Sequence, residues 1–212
     1  MSHNIGKIIY INLERRNDRK IEIENELNNF SLSYERLNAI EYKGDANCQY
    51  SNIKGLIGCG YSHLEVLKLA KERNYKNVLI LEDDFMFLVS KDEFENQLTK
   101  FFDSVKKFDV CMLSYNVQKD EQVPEKEFIN RVLNASTASA YLVNNHYYDK
   151  LIALYENALP LLIKTGMHWI YANDQIWKVL QTKDIWYRFN LRIGKQRPSY
   201  SDNTGCFMDH SC

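Results

Sequence analysis

Three consecutive carboxylates, Glu82-Asp83-Asp84, follow directly on the apolar run Asn77-Val78-Leu79-Ile80-Leu81. Such a run reads as a short buried strand, so three negative charges are delivered to one edge of a sheet. Their mutual repulsion is costly unless a cation compensates it. If strand geometry persists, Glu82 and Asp84 face one side and Asp83 the other. A carboxylate pair at i and i+2 suits a hard divalent ion, Mg2+ or Mn2+, of the kind that also holds substrate phosphates. A solvated strand end, or the cap of a following turn, would use the same residues.

A second charged segment, Glu14-Arg15-Arg16-Asn17-Asp18-Arg19, follows the β-rich run Lys7–Leu13. Asn12, Leu13, Arg15 and Arg19 stand where backbone and side-chain donors can meet a base, a ribose or a pyrophosphate. Arginine suits phosphate because its planar fork bonds two oxygens; a solvated, charged helix start is the plain alternative. Gly58-Cys59-Gly60-Tyr61-Ser62-His63 leads into a helix expected to begin near Ser62. A helix N-terminus is a natural place for an anion or a polar ligand, which makes Ser62 and His63 candidates, with Ser62 as N-cap. Cys59 and His63 invite a nucleophilic reading, but no orienting third group is identifiable. His63 reads better as a packed or ligand-contacting residue.

The elements that must position these residues are legible from periodicity. Lys7–Leu13 and Tyr34–Ile40 read as strands around a helix that carries Ile23, Leu27 and Phe30 on one stripe, with Asn17 or Asp18 as its cap. Residues 41–57 lack periodicity and read as a loop; the helix after them carries Leu64, Leu67 and Ala70. Ser90–Lys106 is strongly amphipathic, with Phe94, Leu98, Phe101, Phe102 and Val105 on one face. Asp109–Leu113, Ala138–Val143 and Ile185–Ile193 are further strands; helices are expected from Asn145 to Leu159, ending before Pro160, and from near Asn173. The segment from Gly194 onward is polar and turn-rich. The alternation predicts an α/β fold, a mainly parallel mixed sheet with helices on both faces. Such sheets bind ligands outside the carboxyl ends of their strands, so the charged turns after Leu13 and Leu81 should share one cleft.

Leu79-Ile80-Leu81-Glu82-Asp83-Asp84 resembles the acidic motif of glycosyltransferase family 25, which includes bacterial lipo-oligosaccharide sugar transferases and procollagen galactosyltransferases. Three further blocks occur in that family's order: Ile11–Arg19, Gly58–His63, and Ser199-Tyr200-Ser201-Asp202, although Asn203 departs from the usual aliphatic residue. The resemblance implies a single GT-A-like nucleotide-sugar-binding domain over residues 1–212. It also implies metal-dependent transfer of a hexose from a nucleotide-diphospho sugar, a UDP-hexose, to a glycan or hydroxylated protein acceptor. On that reading Asp84, then Glu82, hold Mn2+ or Mg2+, and Asp83 meets the donor's ribose or sugar hydroxyls. Asn134–Ala140, with Thr137, precedes an Ala140-Tyr141-Leu142 block similar to the family's, where small side chains leave room for the donor sugar or simply form a tight turn.

If transfer inverts the anomeric carbon, one carboxylate must deprotonate the acceptor hydroxyl. Asp174 is the candidate base, with a helix cap as its bland alternative; Trp169 and Tyr171 would stack on sugar or pack in the core. Asp202 and His210 are supplementary metal-ligand candidates. Competing readings are a non-catalytic nucleotide-sugar or glycan binding module, and a metal-dependent nucleotidyl- or phosphotransferase.

Composition sets the outer bounds. At 212 residues, 45 % hydrophobic and 26 % charged, the chain is an ordinary globular sequence rather than a disordered one. A net charge of −1 argues against a nucleic-acid partner. The five cysteines form no CxxC pair, consistent with reduced thiols. Apolar runs such as Val78–Leu81 fall far short of the roughly 20 residues needed to span a bilayer. With no signal-peptide pattern at Met1, the expectation is a cytoplasmic protein.

Overall fold

The computed structural model describes residues 4–44, 50–201 and 206–209. Strand β1 (Lys7–Asn12) lies between β2 (Tyr34–Asn38) and β3 (Asn77–Glu82), parallel to both. The sheet continues through β8 (Ala140–Asn144), β5 (Val110–Met112), β9 (Trp186–Phe189), β7 (Ile129–Ser136) and β6 (Asn116–Gln122), in the order β2-β1-β3-β8-β5-β9-β7-β6. β2, β1, β3, β5, β9 and β6 run one way, and β8 and β7 the other. This is the mainly parallel mixed sheet that the alternation predicts. Short strands complete the set: β4 (Phe85–Phe87) pairs with β10 (Gly194–Gln196), and β11 (Ser199–Ser201) with β12 (Cys206–Met208).

Period-two alternation on the central strands splits the core into two layers. Ile8, Tyr10, Leu79 and Leu81 face α1 (Asn17–Asn29) and α3 (Lys91–Ser104), joining Ile23, Leu27, Phe94, Leu98 and Phe101. Ile9, Ile11, Val78 and Ile80 face the other side, against α2 (Lys54–Glu72) and α4 (Tyr148–Thr165), with Leu67, Leu151, Tyr155 and Trp177. Three single-turn helices, α5 (His168–Tyr171), α6 (Asn173–Ile176) and α7 (Lys178–Gln181), follow α4. Helices therefore cover both faces. No helix among the described residues is long and apolar enough to cross a membrane.

Several boundaries differ from the sequence expectation. Helix α2 begins at Lys54, so residues expected in a loop are helical and Ser62 and His63 lie in mid-helix. Its glycines serve close packing rather than a turn. A Cβ at Gly58 would sit 2.4 Å from the Ile40 carbonyl oxygen, and one at Gly60 2.5 Å from Leu159 Cδ2. Helix α4 runs through Pro160 to Gly166, whose φ of 68° forms a left-handed cap; buried Leu159, Leu162 and Ile163 hold the chain helical past the proline. Ser90 caps α3 by accepting from the Glu93 N–H. The N-cap position of α1 is Arg16, with no side-chain cap bond; Asp18 instead pairs with Arg16 at 2.8 Å. Strand β6 was not expected, because its NVQKDEQ sequence is a polar sheet edge without periodicity. The turn-rich segment after Gly194 contributes β10, β11 and β12.

Candidate active site

The parallel pairing of β1 with β3 sets Ile11 opposite Glu82, so the charged segments that follow both strands emerge at the same sheet edge. A cleft of about 620 Å3 opens there. It is lined by Asn12, Leu13, Arg15 and Arg19 from the first strand and loop, and by Glu82, Asp83 and Asp84 from the third. Ser62 and His63 from α2, Thr137 from the end of β7 and Asp174 from α6 complete the wall. The polar residues singled out from the sequence thus face one cavity, Asp202 and His210 excepted, which lie outside the described residues. The aromatic candidates Trp169 and Tyr171 are not on its wall.

Arg19 organises the acidic edge. Its Nη1 donates to Asp83 Oδ1 at 3.0 Å and to Asp84 Oδ2 at 3.1 Å. Its Nη2 donates to Ser199 Oγ at 2.6 Å and to the Tyr200 carbonyl at 3.1 Å, which ties the β11–β12 hairpin to the same spot. Asn12 Nδ2 donates to the other Asp83 oxygen at 2.7 Å, and Arg36 Nε holds Asn12 Oδ1 at 3.0 Å. Arg15 points away from this group and donates to Glu41 at 3.1 Å. The expected strand alternation of the triplet fails: β3 ends at Glu82, and in the turn that follows Asp83 and Asp84 converge on one guanidinium.

Glu82 goes elsewhere. Its Oε1 lies 3.0 Å from His63 Nε2 and accepts from Cys59 Sγ at 3.5 Å. Burial acts to raise the Glu82 carboxyl, but the contacts with His63 and Cys59 and the charge of Arg19 together outweigh it, and the net shift is downward. Asp84 is the opposite case. Burial first, and then the charge of Glu82, push its pKa up to about 7 despite Arg19. Asp84 Oδ1 is buried and has no hydrogen-bond partner. Burial also raises Asp83, while the two aspartates overcome burial to raise Arg19.

Ser62 is not a helix cap. Fully buried in α2, its hydroxyl donates to the Gly58 carbonyl at 2.7 Å and accepts from the Ile40 N–H at 2.8 Å. His63 is likewise fully buried, with Nδ1 2.8 Å from the Tyr141 hydroxyl. Neither stands at a helix N-terminus, so no helix end offers an anion site at either, contrary to the sequence expectation; both line the cleft. Asp174 lies in the first turn of α6, where Oδ2 accepts from the Thr137 N–H at 2.9 Å and Oδ1 from Gln175 Nε2 at 3.0 Å. Thr137 adopts φ of 80°, a region that costs a β-branched residue, and this turn presents its N–H to Asp174. Trp169 is 61 % exposed rather than core.

Sequence reasoning missed Arg36, which props Asn12, and Tyr141 and Asn173, which back His63 and Cys59. Arg36 gives no sequence signal beyond one alternation position on β2. Gln196 also reaches the Asp84 carboxyl, from a segment with no periodicity to announce it. Cys59 and Cys111 are free thiols.

An α/β sheet with an acidic strand end, an arginine bridging two aspartates and a cleft above them defines a candidate group-transfer enzyme. The chain belongs to glycosyltransferase family 25: the family model described as "Glycosyltransferase family 25 (LPS biosynthesis protein)" matches residues 5–167. It is therefore a glycosyltransferase, and its reaction is sugar transfer. The match takes in the first loop, the Cys59–His63 block, the acidic triplet and Thr137, and stops short of Asp174 and the β11–β12 hairpin.

Among solved structures the chain is similar to an active-site mutant of LgtC (13 % identity, 85 % of this chain and 72 % of that one, TM-score 0.47). It is also similar to A197 from STIV (12 %, 86 % and 80 %, TM-score 0.46). A third is a glycosyltransferase involved in glycosylation of the major capsid of PBCV-1 (6 %, 87 % and 92 %, TM-score 0.42). No curated protein matches the chain.

Proposed function

We propose that the chain moves a hexose from a UDP-hexose to an acceptor hydroxyl with inversion, with Mn2+ or Mg2+ held at the acidic edge, all within one GT-A-like domain. The observation that carries this reading is Asp84, whose buried Oδ1 has no partner and whose neighbours are two further carboxylates. One guanidinium cannot balance three carboxylates. A hard, oxygen-seeking cation fits the remaining charge. Asp84 would hold the ion, with Glu82 adding its charge beside it. When bound, such an ion acts as a Lewis acid that neutralises charge on the departing diphosphate.

The chain's own residues supply the rest. Asn12 and Arg36 fix Asp83 toward the ribose or sugar hydroxyls, and Arg19, already beside both aspartates, offers N–H donors to pyrophosphate oxygens. Arg15 and Leu13 form the outer wall at the base end, and His63 and Ser62 shape the floor. Thr137 brings its backbone close to the donor sugar and orients Asp174. Asp174 takes the proton from the acceptor hydroxyl, a glycan or hydroxylated protein side chain, as that oxygen attacks the anomeric carbon.

A second reading concerns Asp174 alone: both of its oxygens already accept hydrogen bonds, which suits a residue that orients Thr137 rather than one that takes a proton. Calorimetry with UDP, with and without Mn2+, on wild type and Asp84→Asn tests the metal and the donor. The expected result is Mn2+-dependent binding in wild type that is lost in the variant. Equal binding in all four arms would refute the assignment. Donor hydrolysis present in wild type and lost in Asp174→Asn, with UDP binding intact, supports Asp174 as base; hydrolysis retained in the variant leaves it the orienting role.

A further inference from the structure

Beside the acidic edge, three side chains of a different chemical character converge. Cys59 and His63 are four residues apart on α2, which puts them on one face of the helix. Glu82, the last residue of β3, meets that face. One ligand atom from each, the thiol sulfur, an imidazole nitrogen and a carboxylate oxygen, lie within 4.8 Å of one another. The Sγ–Oε1 and Nε2–Oε1 separations are 3.5 and 3.0 Å. Ligand atoms around a tetrahedral zinc ion, at roughly 2.0–2.3 Å from the metal, stand about 3–4 Å apart, so the three need little adjustment to share an ion.

We propose that Cys59, His63 and Glu82 form a second metal site, of the zinc class, separate from the hard-cation site at Asp84. Three features of the surroundings carry it. The donor set is thiolate, imidazole and carboxylate, which selects zinc-like ions over Mg2+ and Mn2+. The outer shell is already built: the Tyr141 hydroxyl lies 2.8 Å from His63 Nδ1, and Asn173 Nδ2 donates to Cys59 Sγ at 3.6 Å. Asn173 is in turn held by the Tyr155 hydroxyl. Such partners orient metal ligands and are a regular part of metal sites. Finally, all three residues line the cleft, so the fourth coordination position opens to it, as in zinc sites that bind a water or a ligand.

The proton balance is simple. Loading the ion displaces the Cys59 thiol proton to solvent and requires Nε2 to give up the proton it presents to Glu82, either to solvent or by a shift to Nδ1, which faces the Tyr141 hydroxyl. Two negative ligands and one divalent cation leave the site neutral. The site rests on the position of these three side chains and stands whether or not Asp84 holds an ion.

Cobalt is the probe, because a thiolate bound to Co2+ gives a near-ultraviolet charge-transfer band that carboxylate ligation alone does not. The full chain, stripped with chelator and without nucleotide, is titrated with Co2+, and then with Zn2+ in competition. Wild type should show the band at one equivalent, and Zn2+ should displace it. Cys59→Ser should abolish the band and weaken Zn2+ binding by more than the roughly 10–100-fold that loss of an outer-shell partner costs.

Asp84→Asn should keep the band, which separates this site from the hard-cation one. A chain with Cys48, Cys206 and Cys212 all changed to Ser should also keep it, and serves if Cys59→Ser does not fold. No band in saturated wild type overturns the proposal. So does a band that survives Cys59→Ser, or one lost with the other three cysteines.

Discussion

Arg19→Ala removes the one guanidinium that faces both Asp83 and Asp84, and the size of the loss can be worked out. The contacts are 3.0 and 3.1 Å, and all three side chains are nearly buried. At those distances, with an effective dielectric of about 20, each contact is worth roughly 5 kcal/mol before desolvation is charged against it. Desolvation of the arginine cancels much of this, and breaking a buried pair from one side typically costs about 3–5 kcal/mol because charge is left stranded. For a chain of this size that corresponds to a fall in Tm of roughly 6–20 °C.

Thermal unfolding followed by circular dichroism, in chelator, reads it directly. The same substitution in an Asp83→Asn/Asp84→Asn background should cost far less, since nothing charged is then stranded. Mn2+ should add about 2.7 kcal/mol to Arg19→Ala at a hundredfold excess over that variant's Kd, and less to wild type at the same concentration, where Arg19 competes for the two aspartates. A fall under about 2 °C, or an equal fall in the aspartate-free background, would refute the account of the acidic edge.

Two further expectations follow from the same geometry. The Asp84 carboxyl has a pKa pushed up to about 7, above its unfolded value, so the folded state binds the extra proton. In metal-free protein, stability should therefore be highest below about pH 4 on this group's account and decline to about pH 7, by at most roughly 4 kcal/mol. Denaturant titrations of wild type against Asp84→Asn isolate that slope; identical slopes would contradict it, and Mn2+ should flatten it in wild type only. Gly58→Ala should destabilise more than Gly60→Ala, within the roughly 1–3 kcal/mol of overpacking. The first Cβ meets the fixed Ile40 carbonyl, whereas the second meets the movable end of Leu159; urea midpoints with the order reversed would count against this packing.

The site was legible where charge and strand ends coincide. Arg19 and Asp83 are 64 residues apart, yet both follow apolar strands, and adjacent parallel strands deliver their carboxyl ends to one edge. Legibility failed where one residue type serves two physical ends. Gly58 and Gly60 read as loop because glycine frees the backbone, but here it is the missing Cβ that matters, letting α2 approach the Ile40 carbonyl and α4. That misplaced the start of α2 and gave Ser62 and His63 a terminus they do not have. Pro160 read as a stop, and burial of Leu159 and Leu162 overrode it. The alternation expected of Glu82, Asp83 and Asp84 assumed that the strand continues, and it ends at the first of them.

The charge arrangement constrains how a donor can enter. The other arginines near the edge are already committed, Arg15 to Glu41 at 3.1 Å and Arg36 to Glu14 at 3.0 Å. Arg19 is shared between two aspartates, and Glu82 is held on the far side by His63 and Cys59. The bare edge is therefore net negative, and the diphosphate of a nucleotide sugar is negative too. Partly buried like charges repel strongly at this range, so a donor arriving alone is opposed by the same residues proposed to position it. On the proposed function, a cation entering with the diphosphate would reverse that sign and give Asp84 Oδ1 a partner. It would also weaken the hold of the aspartates on Arg19 and so free guanidinium N–H donors for the phosphates. Metal and donor should then bind with positive coupling, each raising the other's affinity by the same factor.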